Sequence, residues 1–285
     1  MKEILKQIHD LNTLSSLVVC AIQFKGNRNQ PQKSKDRLIQ LIHQAALNEA
    51  DLIVLPELAL SQYLFRNESE ARMYSERFKS EGSTHYELCQ IAHQLGIWLI
   101  GGFIEAGAGG LFNSAFIANP NGEVARYRKR LLFESDEIWA LDGEGSRSAR
   151  FADENEHCKM DWIHYHQADP YPLFLINGWL CTVGICMDLN DDRFTNFCMQ
   201  VNVDLIAFPT NWLDQGYDIR GYWVWRLEDT PTYLIAANTY GAEQEIVFRG
   251  ESTILSIAPP MIYSDTTQMG DALIQATLSK HVRVL

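Results

Sequence analysis

The chain has 285 residues, 46% of them hydrophobic and 21% charged, with a formal net charge of −12. That length buries a large core, and no linker, repeat or low-complexity tract divides it, so one domain over residues 1–285 is expected. The acidity is read as a solubility feature, and without a basic stripe carrying interleaved aromatics it excludes a surface built for a phosphate backbone, so no nucleic-acid partner is expected.

The opening MKEILKQIHD is charged and polar, and the apolar run that follows is only strand length. Nothing approaches 18 apolar residues, so neither a signal peptide nor a membrane span is expected, and the reading is a cytoplasmic protein with no membrane partner. LVVCAIQ (17–23) reads as a strand, and a loop with Gly26, Asn27 and Pro31 follows. Leu38, Ile39, Ile42, Ala45, Ala46 and Ala50 recur at helical spacing and predict an amphipathic helix from Ser34. LIVL (52–55) is a buried strand stopped by Pro56, and 84–95 is a helix closed by Gly96. Residues 98–106 and 114–129 read as strands, the second run folded at the turn residues Asn119, Pro120, Asn121 and Gly122. Beyond them come strands at 179–188, 205–212 and 233–241, with helices at 193–201 and 222–229 between them. The continuous apolarity of LIVL, LIAF and YLIAAN predicts strands covered on both faces of a layered α/β fold.

Three residues stand at the ends of such runs. Glu57 follows Pro56 where a buried strand stops, and partial burial there raises a carboxyl pKa toward that of a useful general base. Lys129 lies in RYRKRLLF, with Tyr127 and Leu131 on its face of the strand and Arg128 and Arg130 on the other. An ammonium held inside beside an attacked carbon steadies an oxyanion. Cys186, in GICMDL, sits at a strand end just before a turn, where its sulfur can face a pocket, a nearby Lys129 favours the thiolate, and the Met187 N–H can donate to an oxyanion. There are six cysteines in all, with no CxxC pair, so no disulfide framework is expected; Cys20, Cys89, Cys181 and Cys198 are read as small buried hydrophobes.

The order Glu57 in LPEL, Lys129 in YRK and Cys186 in GICMD resembles the nitrilase superfamily of carbon-nitrogen hydrolases. The resemblance implies a four-layer α-β-β-α sandwich, a homodimer or higher homo-oligomer, and a Glu57, Lys129, Cys186 catalytic set needing no metal or organic cofactor. Leu131 stands where many members carry histidine. The resemblance also implies a second acid after the lysine, for which Glu134, Asp136 and Glu137 are available; Glu137 is the choice, as the group that orients Lys129. PTNW (209–212) resembles the substrate-facing loop, which makes Asn211 and Trp212 pocket candidates together with Met187. Arg226, Glu228 and Asn238 are expected to be structural.

The stretch between Lys129 and Cys186 is longer than in most relatives and is expected to insert a loop or lid near 146–172. It carries His157, Cys158, Asp161, His164 and His166, yet no complete tetrahedral set, so no metal is assigned. The function expected is hydrolysis of a small amide or N-carbamoyl compound through a Cys186 thioester, with Glu57 moving the protons. Met187 and Asp188 after the cysteine resemble the amidase and carbamoylase branch. Nitrile hydrolysis is the alternative within the family, and a non-catalytic scaffold on the same sandwich the alternative outside enzymes.

Overall fold

The computed structural model describes residues 16–143, 162–165, 171–228 and 230–280. In chain order its strands and helices are β1 (Ser16–Gln23), α1 (Pro31–Leu47), β2 (Leu52–Val54), α2 (Glu68–Arg72), α3 (Thr84–Leu95), β3 (Trp98–Gly107), β4 (Gly110–Ala118), β5 (Val124–Arg128) and α4 (Glu134–Glu137). The second half continues with β6 (Ile163–Tyr165), β7 (Pro172–Ile176), β8 (Trp179–Val183), α5 (Asp192–Val201), β9 (Leu205–Thr210), α6 (Ile219–Arg226) and β10 (Tyr233–Asn238). It closes with β11 (Tyr240–Glu243), β12 (Ile246–Arg249), β13 (Thr253–Ser256), β14 (Met261–Asp265) and β15 (Ala272–Ser279).

These strands make two large sheets, in the orders β15-β1-β2-β3-β4-β5 and β14-β13-β10-β9-β8-β7-β6, with β11 and β12 as a separate hairpin. Alternation in β1 shows how the layers arise. Leu17, Val19 and Ala21 point into the core between the sheets, while Cys20 and Ile22 point the other way, under Leu38, Ile42 and Ala45 of α1 and Leu88 and Ala92 of α3. The second sheet is covered likewise by Phe194, Phe197 and Cys198 of α5 and Ile219 and Trp223 of α6. A strand buried on both faces has no polar side, which is why these runs are apolar throughout. The result is the expected α-β-β-α sandwich.

Local signals set the helix ends. α1 starts on a proline, whose missing N–H costs nothing in the first turn, and α3 stops at Gly96 with φ +69°, the left-handed conformation glycine adopts without a Cβ penalty. α6 begins at Ile219, three residues before the reading from periodicity, because the Asp218 carboxylate caps it by accepting from the Arg220 N–H. The run at 179–188 is strand only to Val183, and Cys186 instead opens a 3-10 turn, Cys186–Asn190. Of the lid expected near 146–172, residues 144–161 and 166–170 lie outside the described residues, His157, Cys158, Asp161 and His166 among them. Within the described part, β6 pairs antiparallel with β7 at the edge of the second sheet.

Candidate active site

β1, β2 and β3 run parallel, as do β8, β9 and β10. The C-terminal ends of parallel strands are where open α/β sheets place their sites, and here β2 leads to Glu57, β8 to Cys186 and β9 to Thr210 and Asn211. After β2 the chain stays tied to β3: Leu55 N–H donates to Ile100 O at 2.8 Å, Gly102 N–H to Pro56 O at 3.1 Å and Ala59 N–H to Gly102 O at 3.2 Å. Only glycine fits at 102. A Cβ there would stand 2.4 Å from Leu58 N and 2.6 Å from Glu57 Cα, both main-chain atoms that cannot step aside alone. Gly102→Ala is therefore expected to lower stability by about 2–3 kcal/mol and displace the Glu57 turn, read as a drop in melting temperature together with kcat.

Glu57 and Lys129 are 1% and 0% exposed, and they meet. β5 ends at Arg128, and strand alternation turns Tyr127 and Lys129 inward while Arg128 pairs with Glu105 on the opposite face. The Lys129 ammonium donates to Glu57 Oε1 at 2.7 Å and to Asp136 Oδ2 at 2.6 Å. Asn113 of β4 donates from Nδ2 to Glu57 Oε1 at 2.7 Å, and the Lys129 N–H is bonded to Asn113 O at 2.8 Å. Among the described residues, the buried Glu57 Oε2 has no hydrogen-bond partner, so it is the oxygen of this carboxylate free to take a proton.

Asp136, not Glu137, orients the lysine. The four-residue helix α4 turns Asp136 inward, fully buried, and leaves Glu137 exposed on the outer side of the same turn. Asp136 Oδ2 also accepts from the Phe133 N–H at 3.2 Å, which fixes the turn onto the lysine. Sequence spacing offered three acids within four residues, and only the direction of one helical turn separates them.

Cys186 is 5% exposed and has φ +44°, a left-handed conformation that costs a non-glycine residue about 1–3 kcal/mol and persists only where its surroundings enforce it. The enforcing group is Asp188. Its Oδ2 accepts from the Ile185 N–H at 2.8 Å and the Tyr127 hydroxyl at 2.9 Å, and its Oδ1 accepts from the N–H groups of Arg130 and Leu131, both at 3.0 Å. One buried carboxylate thus joins the cysteine turn to the strand end that carries Lys129.

The electrostatics follow from burial. Burial raises the Glu57 carboxyl above its ordinary 4.5, Asp136 adds to the rise, and Lys129 and Asn113 oppose it. Burial alone would lower the Lys129 pKa, but the charges of Asp136 and Glu57 hold it well above 10.5. The Cys186 thiol is pushed up to about 12, first by burial and then by the Glu57 charge, against Lys129, the Thr210 hydroxyl and the Asn211 N–H. Lys129 acts on the thiol in the expected direction, favouring the thiolate, but in a site this dry desolvation outweighs one cation already shared by two carboxylates. Burial also raises the thiols of Cys20, Cys89, Cys181 and Cys198.

Asn211 is buried, donates to Glu57 O at 2.9 Å and keeps an unpartnered Oδ1. It lines a crevice with Glu57, Tyr63, Gln62, Thr239 and Glu243. The ring of Trp212 packs against Phe208, Tyr222 and Trp223, and its N–H is held by Asn238 Oδ1 at 2.9 Å. Met187 is half-buried, and its sulfur accepts from Asn190 Nδ2 at 3.1 Å. Asn238 and Arg226 are tied to main-chain carbonyls of Gly250 and Leu189 respectively. Asn113 and Tyr63 had no signal in the sequence: an asparagine inside a strand and a tyrosine in a loop look ordinary until the sheet brings them to the lysine. Among the described residues, no group of three or more His, Cys, Asp or Glu is placed to hold a metal ion, and no helix is long and apolar enough to cross a membrane.

The carbon-nitrogen hydrolase family model matches residues 19–282. The chain is 26% identical to a nitrilase of Pyrococcus abyssi over 238 residues, 84% of this chain and 80% of that one. It is 26% identical to the protein N-terminal amidase of Schizosaccharomyces pombe, over 83% of this chain and 90% of the relative. Among solved structures, an amidase from Nesterenkonia sp. shares the fold with a TM-score of 0.72 at 19% identity, covering 94% of this chain and 92% of that one. A mutant of the Nesterenkonia sp. AN1 amidase shows covalent addition of the acetamide moiety of fluoroacetamide at its active-site cysteine.

Proposed function

Since the chain belongs to the carbon-nitrogen hydrolase family and is an enzyme of that class, we propose that it hydrolyses a small amide or N-carbamoyl compound through a thioester on Cys186. The observation that carries this reading is the buried junction of Glu57, Lys129 and Asp136, with Glu57 Oε2 unpartnered among the described residues and the Glu57 charge acting on the buried Cys186 thiol. Glu57 Oε2 takes the thiol proton as sulfur bonds to the carbonyl carbon. The oxyanion is met by the Lys129 ammonium, which has one N–H beyond the two given to Glu57 and Asp136. The carbon-nitrogen bond breaks as Glu57 returns its proton to the leaving nitrogen, and ammonia or an amine departs. Water then gives a proton to Glu57 and attacks the thioester, and the released thiolate recovers that proton as the acid leaves. The Asn211 Oδ1 suits the N–H of an amide, which a nitrile lacks.

The Nesterenkonia amidase supports a cysteine as the nucleophile, and the N-terminal amidase supports amides as the class. Nitrile hydrolysis is the second reading, supported by the Pyrococcus relative named for it. The reading extends to one catalytic domain, working in the cytoplasm as a homodimer. Ammonia release across a panel of amides, carbamoyl compounds and nitriles, with mass spectrometry of the intact protein, tests it. Wild type is expected to release ammonia from amides and to gain an acyl mass that Cys186→Ala does not gain. Turnover of nitriles alone overturns the amide assignment, and an adduct that survives in Cys186→Ala overturns the nucleophile. Because burial raises Glu57, its basic form accumulates only above that raised value, so the acid limb of kcat/KM is expected above pH 4.5 and should vanish in any residual activity of Glu57→Gln.

A further inference from the structure

Outside the catalytic junction, a second buried ion pair holds the wall of the same crevice. Glu243, the last residue of β11, accepts from the Tyr63 N–H at 3.1 Å on Oε1 and 3.0 Å on Oε2, and from the Leu64 N–H at 2.7 Å. The Arg28 guanidinium donates to Glu243 Oε1 at 2.7 Å and to the Leu64 carbonyl, and lies 4.3 Å over the Phe65 ring. Both side chains are nearly out of water, 9% exposed for Glu243 and 11% for Arg28. Charge-assisted bonds in such a place are strong, and removing the acceptor strands two main-chain donors and leaves Arg28 only its longer pair with Glu70 at 3.5 Å and the Leu64 carbonyl.

The segment held in this way is the one that follows Glu57. Its backbone passes through positive φ at two non-glycine residues, Leu58 at +47° and Gln62 at +62°, so it does not rest in a conformation its own residues prefer. Such a turn needs an outside hold. What it delivers is Tyr63, 2% exposed and packed edge-on against Phe248 of β12 at 5.8 Å. Tyr63 lines the crevice together with Glu57, Asn211 and Glu243, and the charges of Asp136, Lys129 and Glu57 act on its hydroxyl there.

Resting on the amidase reading above, we propose that Glu243 is a positioning residue: with Arg28 it fixes the main chain of Tyr63 and Leu64, so that Tyr63 forms the substrate-contacting wall of the acyl pocket. The β11 and β12 hairpin, which belongs to neither large sheet, thereby sets the shape of a site made by both.

Glu243→Gln keeps the size of the side chain but turns an NH2 group toward N–H donors. In this variant, kcat/KM for a small amide such as propionamide is expected to fall about tenfold, chiefly through KM, because the pocket wall moves while the reacting groups stay. Tyr63→Phe is expected to show a loss of similar size, and the double variant to be no worse than the poorer single within about twofold, the signature of one residue acting through the other. Losses that multiply in the double variant overturn the proposal. Hydrogen exchange of peptides spanning residues 61–66 gives a readout that needs no substrate: exchange at least about tenfold faster in Glu243→Gln is expected, and unchanged exchange in a folded variant overturns the clasp. If Glu243→Gln does not fold, Arg28→Lys, which keeps the charge and loses the fork, is expected to show the same two effects at smaller size. A wild type that hydrolyses nothing in the panel overturns the amidase reading alone, since the exchange measurement still decides the clasp.

Discussion

Lys129→Met is expected to remove amide turnover by about 10⁴-fold or more and to cost the fold about 3–5 kcal/mol at neutral pH. Lys129 Nζ lies 2.7 Å from Glu57 Oε1 and 2.6 Å from Asp136 Oδ2, with all three side chains buried. Methionine fills the same space but leaves two carboxylates in a dry site without their cation, and like charges that close cannot both remain ionised. The folded variant therefore holds a proton that the unfolded chain gives up at ordinary carboxylate values. A carboxyl pKa raised in the folded state makes stability fall as pH rises from about 4.5 through the raised value, so the variant's deficit is expected to be smaller at pH 5 than at pH 8. Thermal melts at the two pH values check this: a deficit of roughly 10 °C at pH 8 that narrows at pH 5 is the expected pattern, and equal deficits would contradict it. Activity is not expected to return at low pH, because the proposed mechanism needs Glu57 unprotonated and the oxyanion without Lys129 has no cation.

Asp188→Asn tests how Cys186, the proposed nucleophile, is held. The carboxylate receives two hydrogen bonds on each oxygen, and asparagine can accept on only one side. The less costly orientation keeps its oxygen toward the Arg130 and Leu131 N–H groups and turns its NH2 toward Tyr127 and Ile185, since the Tyr127 hydroxyl can rotate to accept. That leaves the Ile185 N–H facing a donor, next to the residue whose backbone is strained at φ +44°. The expected result is a stability loss of about 2–4 kcal/mol and a kcat roughly 10²-fold lower, as the thiol relaxes away from Glu57 Oε2. Steady-state kinetics on an amide, with circular dichroism to show the sandwich intact, measures both. A kcat within threefold of wild type would mean that the Cys186 turn keeps its shape without the tether.

Both variants probe contacts between residues far apart in the chain, and the same distance divides what was legible beforehand from what was not. Apolar continuity marked the interior strands 52–55, 205–210 and 233–238, because a strand covered on both faces cannot carry a polar side. Gly96 announced the end of α3 for a reason internal to one residue. Glu57, Lys129 and Cys186 lie at the ends of strand-like runs, and it is the resemblance of LPEL, YRK and GICMD to the nitrilase superfamily that singled them out. The strands that escaped notice, such as β7 and the hairpin β11 and β12, are short and owe their pairing to partners rather than to pattern.

Residue order alone determined the layered α/β class, stops such as Pro56 and Gly96, and the three polar groups at strand ends, because periodicity and steric stops act within a few residues. Only the folded chain decided that Asp136 rather than Glu137 meets Lys129, that Asn113 and Asp188 brace the junction, and that Cys186 is buried. Those outcomes depend on which way a single turn faces and on how much water is excluded. Burial and direction are properties of the packed sheets, and no stretch of sequence carries them by itself.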